Sequence, residues 1–185
     1  MRSFTTAVWF MALLFAGTAS AVESPAKRDY QSANALFQGQ QYREALILYQ
    51  KVLSAPPAEV SAGDIHRRIG DAYFRIGDFH SALGAYRSAL ADPKLTDKAQ
   101  SQYWVGFCCF LLGRDAEAVT ELLKVPQRYP DAGAWGSTAY YWAARASERM
   151  GRKDLSAEYY RKAGGSGRST QGKFALQKAD AAKGK

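Results

Sequence analysis

Small residues recur along this chain at a nearly constant interval, and this recurrence constrains the fold more than any other feature of the sequence. The recurring residues are Ala45, Ala82, Ala118 and Ser156, at intervals of 37, 36 and 38 residues. Another small residue lies twelve positions before each one: Ala33, Gly70, Gly106 or Ala144. A bulky residue lies four positions after each one: Tyr49, Tyr86, Leu122 or Tyr160. One helix pair cannot bury its apolar face alone, so this interval predicts stacked helix pairs.

The small residues set how closely the two helices of a pair can approach. Antiparallel helices approach closely only where side chains are small, so we expect Gly or Ala on the first helix to face Ala on the second. Three units have a glycine near the predicted middle turn, at Gly77, Gly113 and Gly151. A proline, which cannot continue a helix, closes each of the first three units, at Pro57, Pro93 and Pro130.

Two units carry the pattern most fully: Ile69-Gly70-x2-Tyr73…Ala82-x3-Tyr86…Ala89 and Val105-Gly106…Ala118-x3-Leu122…Pro130. This spacing resembles the tetratricopeptide signature, W-x2-L-G-x2-Y…A-x3-F…P, whose period is about 34 residues. The resemblance implies an all-α fold, an α-solenoid of about four helix–turn–helix repeats spanning residues 22–170. We expect the repeats at about 26–59, 63–96, 99–132 and 137–170. The resemblance to tetratricopeptide repeats also implies that the protein is a binding scaffold without enzymatic activity.

The later repeats also resemble those of bacterial cell-envelope proteins. Tyr129-Pro130-Asp131 is similar to the repeat ends of the periplasmic tetratricopeptide protein of the Tol–Pal system, which normally has an N-terminal coiled coil that this chain lacks. The segment 141–145, YWAAR, is similar to the superhelix of soluble lytic transglycosylases. Those enzymes carry a C-terminal catalytic domain, for which too few residues follow the fourth repeat. These resemblances imply a role in cell-envelope assembly or maintenance.

The N-terminus has the three parts of a secretory signal peptide. Arg2 precedes an apolar run from Ala7 to Ala16, and Ala19-x-Ala21 follows it. Ten apolar residues are too few to cross a bilayer, which needs about 20. We therefore predict a signal peptide over residues 1–21, cleaved after Ala21, and a periplasmic or secreted protein without stable membrane insertion. The alternative is a short anchor that stays attached. No cysteine lies near the cut, so lipidation there is not expected.

The positive charge of the chain is concentrated near its end. The formal net charge is +8, and residues 161–185 contain seven basic residues and one acidic residue. We predict a basic C-terminal tail or capping segment over residues 171–185. The tail is either a solvated terminus or an attachment site for an anionic partner such as lipid headgroups, cell-wall polymer or nucleic acid.

The sequence offers no convincing catalytic, cofactor or metal site. His66 and His80 are fourteen residues apart and lack a third ligand or a nucleophile at a known spacing. Cys108 and Cys109 are adjacent, so their side chains diverge on a helix and cannot form an ordinary disulfide. We expect both cysteines to serve as small core residues, and we expect no cofactor.

The exposed stripe of each first helix is the predicted binding groove. The stripe is rich in aromatic and arginine side chains, which make good interface anchors. Its predicted members are Tyr30, Asn34, Arg67, Arg68, Asp71, Arg75, Tyr103, Trp104, Phe107, Tyr141, Trp142 and Arg145. We expect about half of these aromatic residues to pack between repeats and the four arginines to reach water.

The family's groove for chaperone C-terminal carboxylates has a fixed set of Lys, Asn and Arg side chains. The matching positions here are Tyr30, Asn34, Arg68, Gln100 and Trp104, and of these only Asn34 agrees, with Arg68 an approximate match. That ligand is therefore not expected. The predicted partner is a protein or extended peptide of the cell envelope and not a nucleic acid, with a glycan-associated module or an export chaperone as alternatives. The oligomeric state stays open.

Overall fold

The computed structural model of the protein describes residues 23–165 and 170–183, which form nine α-helices and no strand. The helices are α1 (Pro25–Gln38), α2 (Tyr42–Ser54), α3 (Ala62–Ile76), α4 (Phe79–Ala91), α5 (Lys98–Leu111), α6 (Asp115–Arg128), α7 (Ala134–Arg149), α8 (Lys153–Gly164) and α9 (Thr170–Lys183). The predicted all-α class is confirmed. The predicted signal peptide, residues 1–21, lies outside the described residues.

The first eight helices form four pairs, each joined by a short turn. Each helix packs against its neighbours in the sequence, and this pattern of contacts is that of a solenoid. The helix pairs overlap the four predicted repeat ranges and begin one to three residues before them. The first helices of the pairs are α1, α3, α5 and α7, and of these α5 and α7 also contact each other directly.

Each turn between paired helices contains one residue in the left-handed region. In three pairs this residue is glycine: Gly77 has φ 88°, Gly113 has φ 75° and Gly151 has φ 72°. At the equivalent place in the first pair, Gln40 has φ 63°. A side chain adds strain in this conformation, which glycine adopts freely. The turn of the first pair therefore has the same left-handed residue as the others, although that residue is not a glycine.

The glycines of the second and third pairs lie directly against the bulky residue of the second helix, Tyr86 for Gly70 and Leu122 for Gly106. A Cβ atom placed on Gly70 would lie 2.7 Å from Tyr86 Cε1. The expectation named only the alanine of the second helix and did not include this closer neighbour. The helices approach closely because the aromatic or leucine side chain uses the space that a missing side chain leaves.

The core contains no disulfide among the described residues. Cys108 and Cys109 are both free and completely buried, in the same hydrophobic cluster as Tyr86 and Leu122. The prediction that they are core residues is confirmed. Burial raises the pKa of the Cys108 thiol to about 12 and that of Cys109 to about 11, so neither is an accessible thiolate at neutral pH.

Helix α9 lies against α8 at the C-terminal end of the array. Ala175 and Ala179 are buried there in a cluster with Ala144 and Tyr160. The described residues 170–183 of the basic tail are therefore a packed helix, not a solvated extension. Lys178 Nζ, on α9, lies 5.8 Å from the ring centroid of Phe174 on the same helix.

No helix in residues 23–165 or 170–183 is both long enough and apolar enough to span a membrane.

Candidate functional site

A cavity of about 360 Å³ opens on the surface that the first helices form. Its lining residues are Phe37, Asp71, Phe74, Arg75, Tyr86, Gln100 and Trp104. They come from α1, α3 and α5, with Tyr86 contributed by α4. We call this space the α3–α5 cavity. Of the twelve predicted groove residues, it brings together Asp71, Arg75 and Trp104.

Asp71 is the centre of the polar network beside the cavity. Tyr86 donates its hydroxyl to Asp71 Oδ1 at 2.9 Å, and Arg67 Nη1 donates to Asp71 Oδ2 at 3.3 Å. Arg67 Nη1 also lies 3.4 Å from Gln100 Oε1, which connects α3 to α5. Arg68 Nη1 is 3.9 Å from Asp71 Oδ2. Burial raises the pKa of Asp71, although Tyr86, Arg67, Arg68 and Arg75 all act to lower it.

The four predicted arginines differ in their exposure. Arg75 is exposed at the end of α3 and lies 5.8 Å from the ring of Tyr42. The side chains of Arg68 and Arg145 are partly exposed. Arg67 is only 14% exposed, so the expectation that all four arginines reach water is wrong for this residue. Its ion pair with Asp71 and its contact with Gln100 keep it in the wall between α3 and α5.

Tyr103 is not a groove residue. It is only 4% exposed, because α5 lies directly against α7 at this point. Its ring stacks on Phe107 with centroids 5.7 Å apart and lies 5.0 Å from the ring of Trp135. The prediction that it forms part of the binding surface was wrong, since the face of α5 that carries Tyr103 is covered by the fourth repeat.

Trp104, Phe107 and Trp142 belong to one aromatic cluster that fills the contact between α5 and α7. The rings of Phe107 and Trp142 lie 4.6 Å apart, and those of Trp104 and Phe107 lie 5.9 Å apart. All three side chains are half-buried. They pack between repeats, as expected for about half of the aromatic residues, while Trp104 keeps one face on the α3–α5 cavity.

Tyr30 and Asn34 lie against the second helix of their own pair. Asn34 Oδ1 accepts a hydrogen bond from the Tyr49 hydroxyl at 2.7 Å, and the ring of Tyr30 meets that of Tyr49 edge to face at 6.1 Å. The Tyr49–Asn34 and Tyr86–Asp71 bonds occupy equivalent positions in successive repeats. In the third repeat Leu122 replaces the tyrosine, and Phe107 replaces its acceptor.

In the fourth repeat, Tyr141 and Arg145 lie away from the α3–α5 cavity. The ring of Tyr141 meets that of Tyr160 at 5.7 Å. Arg145 Nε lies 3.7 Å from Glu148 Oε2, which also accepts a hydrogen bond from the Tyr160 hydroxyl at 3.0 Å. This group has no contact with Asp71, so the predicted stripe does not form one continuous polar surface.

Sequence reasoning missed Phe37 and Phe74 as cavity residues. They are separated by 37 residues, the repeat interval itself, and Phe110 follows at the same repeat position. The recurrence of phenylalanine at one repeat position is the sequence signal that could have identified these cavity residues. Gln100 had no comparable signal, because its role depends on the approach of α3 to the first turns of α5.

The described residues contain no group of three or more His, Cys, Asp or Glu side chains that could hold a metal ion. His66 is half-buried, and burial lowers its pKa. His80 is exposed near the start of α4, on the other helix of the same pair. The arrangement offers hydrogen-bond donors, aromatic faces and one half-buried carboxylate, that of Asp71.

The profile of the family described as tetratricopeptide repeat matches residues 30–91 and 67–133, and a second form of it matches residues 137–163. These matches span well over half of the sequence, and the chain belongs to the tetratricopeptide repeat family. No curated protein sequence is a match to this chain.

Solved structures of other repeat proteins share the fold. MamA is 19% identical, with a TM-score of 0.70 over 86% of this chain and 82% of MamA. YrrB, described as a tetratricopeptide protein with an unusual peptide-binding site, is 19% identical, with a TM-score of 0.67 over 83% of this chain and 75% of YrrB. A tetratricopeptide protein from Parabacteroides merdae is 14% identical, with a TM-score of 0.72 over 86% of this chain and 60% of that protein. At these identities the likeness shows the fold alone.

Proposed function

We propose that this chain is a non-enzymatic scaffold that binds an extended segment of a partner protein along its first helices. The observation that carries the proposal is the α3–α5 cavity, where aromatic rings and the guanidinium group of Arg75 share one opening on the first-helix surface. Aromatic and arginine side chains dominate binding energy at protein interfaces. The peptide-binding site described for YrrB supports a ligand of the same kind.

The aromatic wall of the cavity suits an extended segment because it is already in place. Phe74 and Trp104 hold each other at a ring distance of 4.7 Å, and Tyr86 stacks on Trp104 at 6.1 Å. Side chains fixed in this way lose little conformational entropy when a ligand binds. A partner that brings one or two side chains into the cavity would bind without rearrangement of the repeats.

We further propose that the protein acts in the bacterial cell envelope, in assembly or maintenance, after export. Support comes from Arg2, the apolar run from Ala7 to Ala16, and Ala19-x-Ala21. The intact mass of protein purified from its native cells should correspond to a chain that starts at Val22. A mass that includes residues 1–21 would contradict cleavage and favour the attached anchor.

Site-directed photo-crosslinking in intact cells tests the binding proposal. One variant carries a photoreactive amino acid in place of Arg75, which is exposed at the cavity. The matched control carries it in place of Ser88, which is exposed on the second helix α4. We expect a discrete protein adduct from position 75 and none from position 88. The same adduct from position 88 alone would place the partner on the second-helix surface and contradict the proposal.

The glycan-binding alternative predicts a different response to salt. Attachment to an anionic polymer through scattered surface charges weakens steeply with ionic strength, whereas a partly buried anchor is screened much less. Co-sedimentation of the protein with purified cell-wall polymer, lost on addition of salt, would favour the alternative. Retention of the position 75 adduct in high salt favours the protein partner.

A further inference from the structure

A groove with mainly apolar walls lies between α2 and the end of α3, and its volume is about 580 Å³. Its lining residues are Arg43, Leu46 and Ile47 from α2, Tyr73 and Ile76 from α3, and Asp78 from the turn before α4. We call it the α2–α3 groove. It shares no lining residue with the α3–α5 cavity, because Tyr73 and Ile76 lie on a different face of α3 from Asp71 and Arg75.

Ile47 stands in one wall of this groove and is largely exposed to water. Its 65% exposure is the highest among the exposed large hydrophobic side chains of the described residues. The fold of a repeat does not require an apolar residue here, because the same repeat position is Gly84, Thr120 and Glu158 in the later repeats. Covering an exposed isoleucine removes apolar surface from water, so a second surface that packs on Ile47 would be stabilised.

Two exposed side chains of opposite charge border the groove. Arg43 lies one turn before Ile47 on α2, and Asp78 lies on the other side, in the turn between α3 and α4. Within residues 23–165 and 170–183, Arg43 is in no ion pair. Asp78 accepts hydrogen bonds from Ser81, but a carboxylate has room for further donors. The border of the groove therefore presents one donor group and one acceptor group to a partner.

This combination of an apolar centre with one positive and one negative border residue suits a second copy of the same surface. In a two-fold interface the same patch meets itself, so that each residue i contacts a residue j and each j contacts i. A patch with charges of one sign would repel its own copy. A patch with Arg43 on one side and Asp78 on the other brings opposite charges together twice.

We infer that two copies of this chain pair about a two-fold axis through the α2–α3 groove. Ile47 of each copy packs in the groove of the other copy, and Arg43 of each copy forms an ion pair with the partner's Asp78. The first-helix surface stays uncovered, so the dimer has two α3–α5 cavities and can hold two segments of a partner at once. The contact is smaller than a standard interface of about 1,600 Å², so the pairing is weak and depends on concentration.

Sedimentation velocity of the protein purified from its native cells, over a series of concentrations, tests the pairing. We expect a monomer–dimer equilibrium that Ile47→Ser weakens about tenfold or more. The matched control is Leu111→Ser, at another exposed apolar side chain but in the third repeat, which should leave the equilibrium unchanged. A protein that is monomeric at every concentration would overturn the inference. Assembly beyond the dimer would overturn the two-fold arrangement, since a closed two-fold interface leaves no free copy of the patch.

Charge reversal tests the predicted ion pairs. Arg43→Glu places two carboxylates against each other in the dimer, and Asp78→Lys does the same with two cations, so each variant alone should be monomeric. An equimolar mixture of the two variants should recover the dimer, because every contact between them again joins opposite charges. A merely structural role of Asp78 as the cap of α4 predicts no recovery on mixing. Circular dichroism melting of each variant checks that the repeats stay folded.

Photo-crosslinking in intact cells identifies what covers the groove. A photoreactive amino acid in place of Ile47 should give an adduct with twice the mass of the chain and peptides from this chain alone. An adduct that contains a different protein would overturn the inference and assign the groove to that protein. Neither result at position 47 affects the proposed function, which is tested by the adduct at position 75.

Discussion

Gly106 lies directly against Leu122. A Cβ atom on Gly106 would stand 2.6 Å from Leu122 Cγ and 2.8 Å from the Leu122 backbone nitrogen. Real Cβ atoms are not found at such distances, so any larger residue at position 106 forces α5 and α6 apart. The absence of a side chain therefore sets the separation of the two helices in the third repeat.

Gly106→Ala is expected to destabilise the protein by about 1–3 kcal/mol, because the new methyl group meets backbone as well as side-chain atoms. The matched control is Gly84→Ala on α4, where a Cβ atom would have no neighbour within 4 Å. The control should stabilise by about 0.5–1 kcal/mol, since alanine is the better helix former. Chemical denaturation measures both changes. Equal effects of the two substitutions would show that close helix contact is not what selects Gly106.

Gln40→Gly is expected to stabilise the protein by up to about 1 kcal/mol. Gln40 has φ 63° in the first turn, a conformation that costs a residue with a side chain about 1–2 kcal/mol. Glycine removes this strain and restores the residue that the other three turns use, although its greater freedom in the unfolded chain offsets part of the gain. The denaturation midpoint should rise, and Gln41→Gly, one position further on, should lower it.

Tyr86→Phe is expected to cost more stability than Tyr49→Phe. Both tyrosines are buried and donate one hydroxyl to the neighbouring helix, but Tyr86 donates to the carboxylate of Asp71 and Tyr49 to the amide of Asn34. A bond to a charged acceptor contributes about 1.5–3 kcal/mol, and a neutral one about 1 kcal/mol. Urea unfolding of the two variants gives the comparison directly. A larger loss for Tyr49→Phe would mean that Asp71 is held chiefly by the arginines.

Cys108 and Cys109 should not react with thiol reagents while the protein is folded. Both are completely buried, and burial raises their pKa values to about 12 and about 11. Alkylation with iodoacetamide at neutral pH, read by mass spectrometry, should modify neither residue until denaturant is added. The melting temperature should also be the same with and without reductant. Rapid labelling of the folded protein would show that the third repeat opens locally.

Asp78 should contribute a pH-dependent part of the stability. Its side chain caps α4 by accepting hydrogen bonds from the backbone nitrogen and the hydroxyl of Ser81, and these bonds lower its pKa. A lowered folded-state pKa stabilises the protein fully above the unfolded value of about 3.9, and this stabilisation is lost as the pH falls through the folded-state pKa. Asp78→Asn keeps a good cap that does not titrate. The difference in stability between the two proteins should therefore shrink on acidification below about pH 4.

The repeat interval alone predicted the helix pairs, because the pattern is local and repeats with the fold. The interval of small residues at positions 33, 70, 106 and 144 follows from contacts within one pair. The nearest neighbour of a small position could not be read from spacing, since the atoms closest to Gly70 belong to Tyr86, four residues beyond Ala82. That geometry depends on how whole helices pack.

The candidate site was predictable only in part, for the same reason. Asp71 and Arg75 lie one turn apart on a predicted stripe, so their shared surface could be foreseen. The burial of Tyr103 could not, because it depends on the contact of α5 with α7 and on Trp135. Positions that are equivalent in the sequence repeat differ in burial, because some neighbouring repeats pack more closely than others.

The aromatic cluster between α5 and α7 makes tryptophan fluorescence a probe of the third and fourth repeats alone. The chain has four tryptophans, and Trp9 belongs to the predicted signal peptide. The other three, Trp104, Trp135 and Trp142, all belong to this cluster, with the first two 6.4 Å apart and the third 4.6 Å from Phe107. Tryptophan emission of a chain without residues 1–21, excited selectively over tyrosine, would therefore be insensitive to fraying of α1 and α2, which circular dichroism would detect. A ligand that touches Trp104 should change the emission spectrum without any added label.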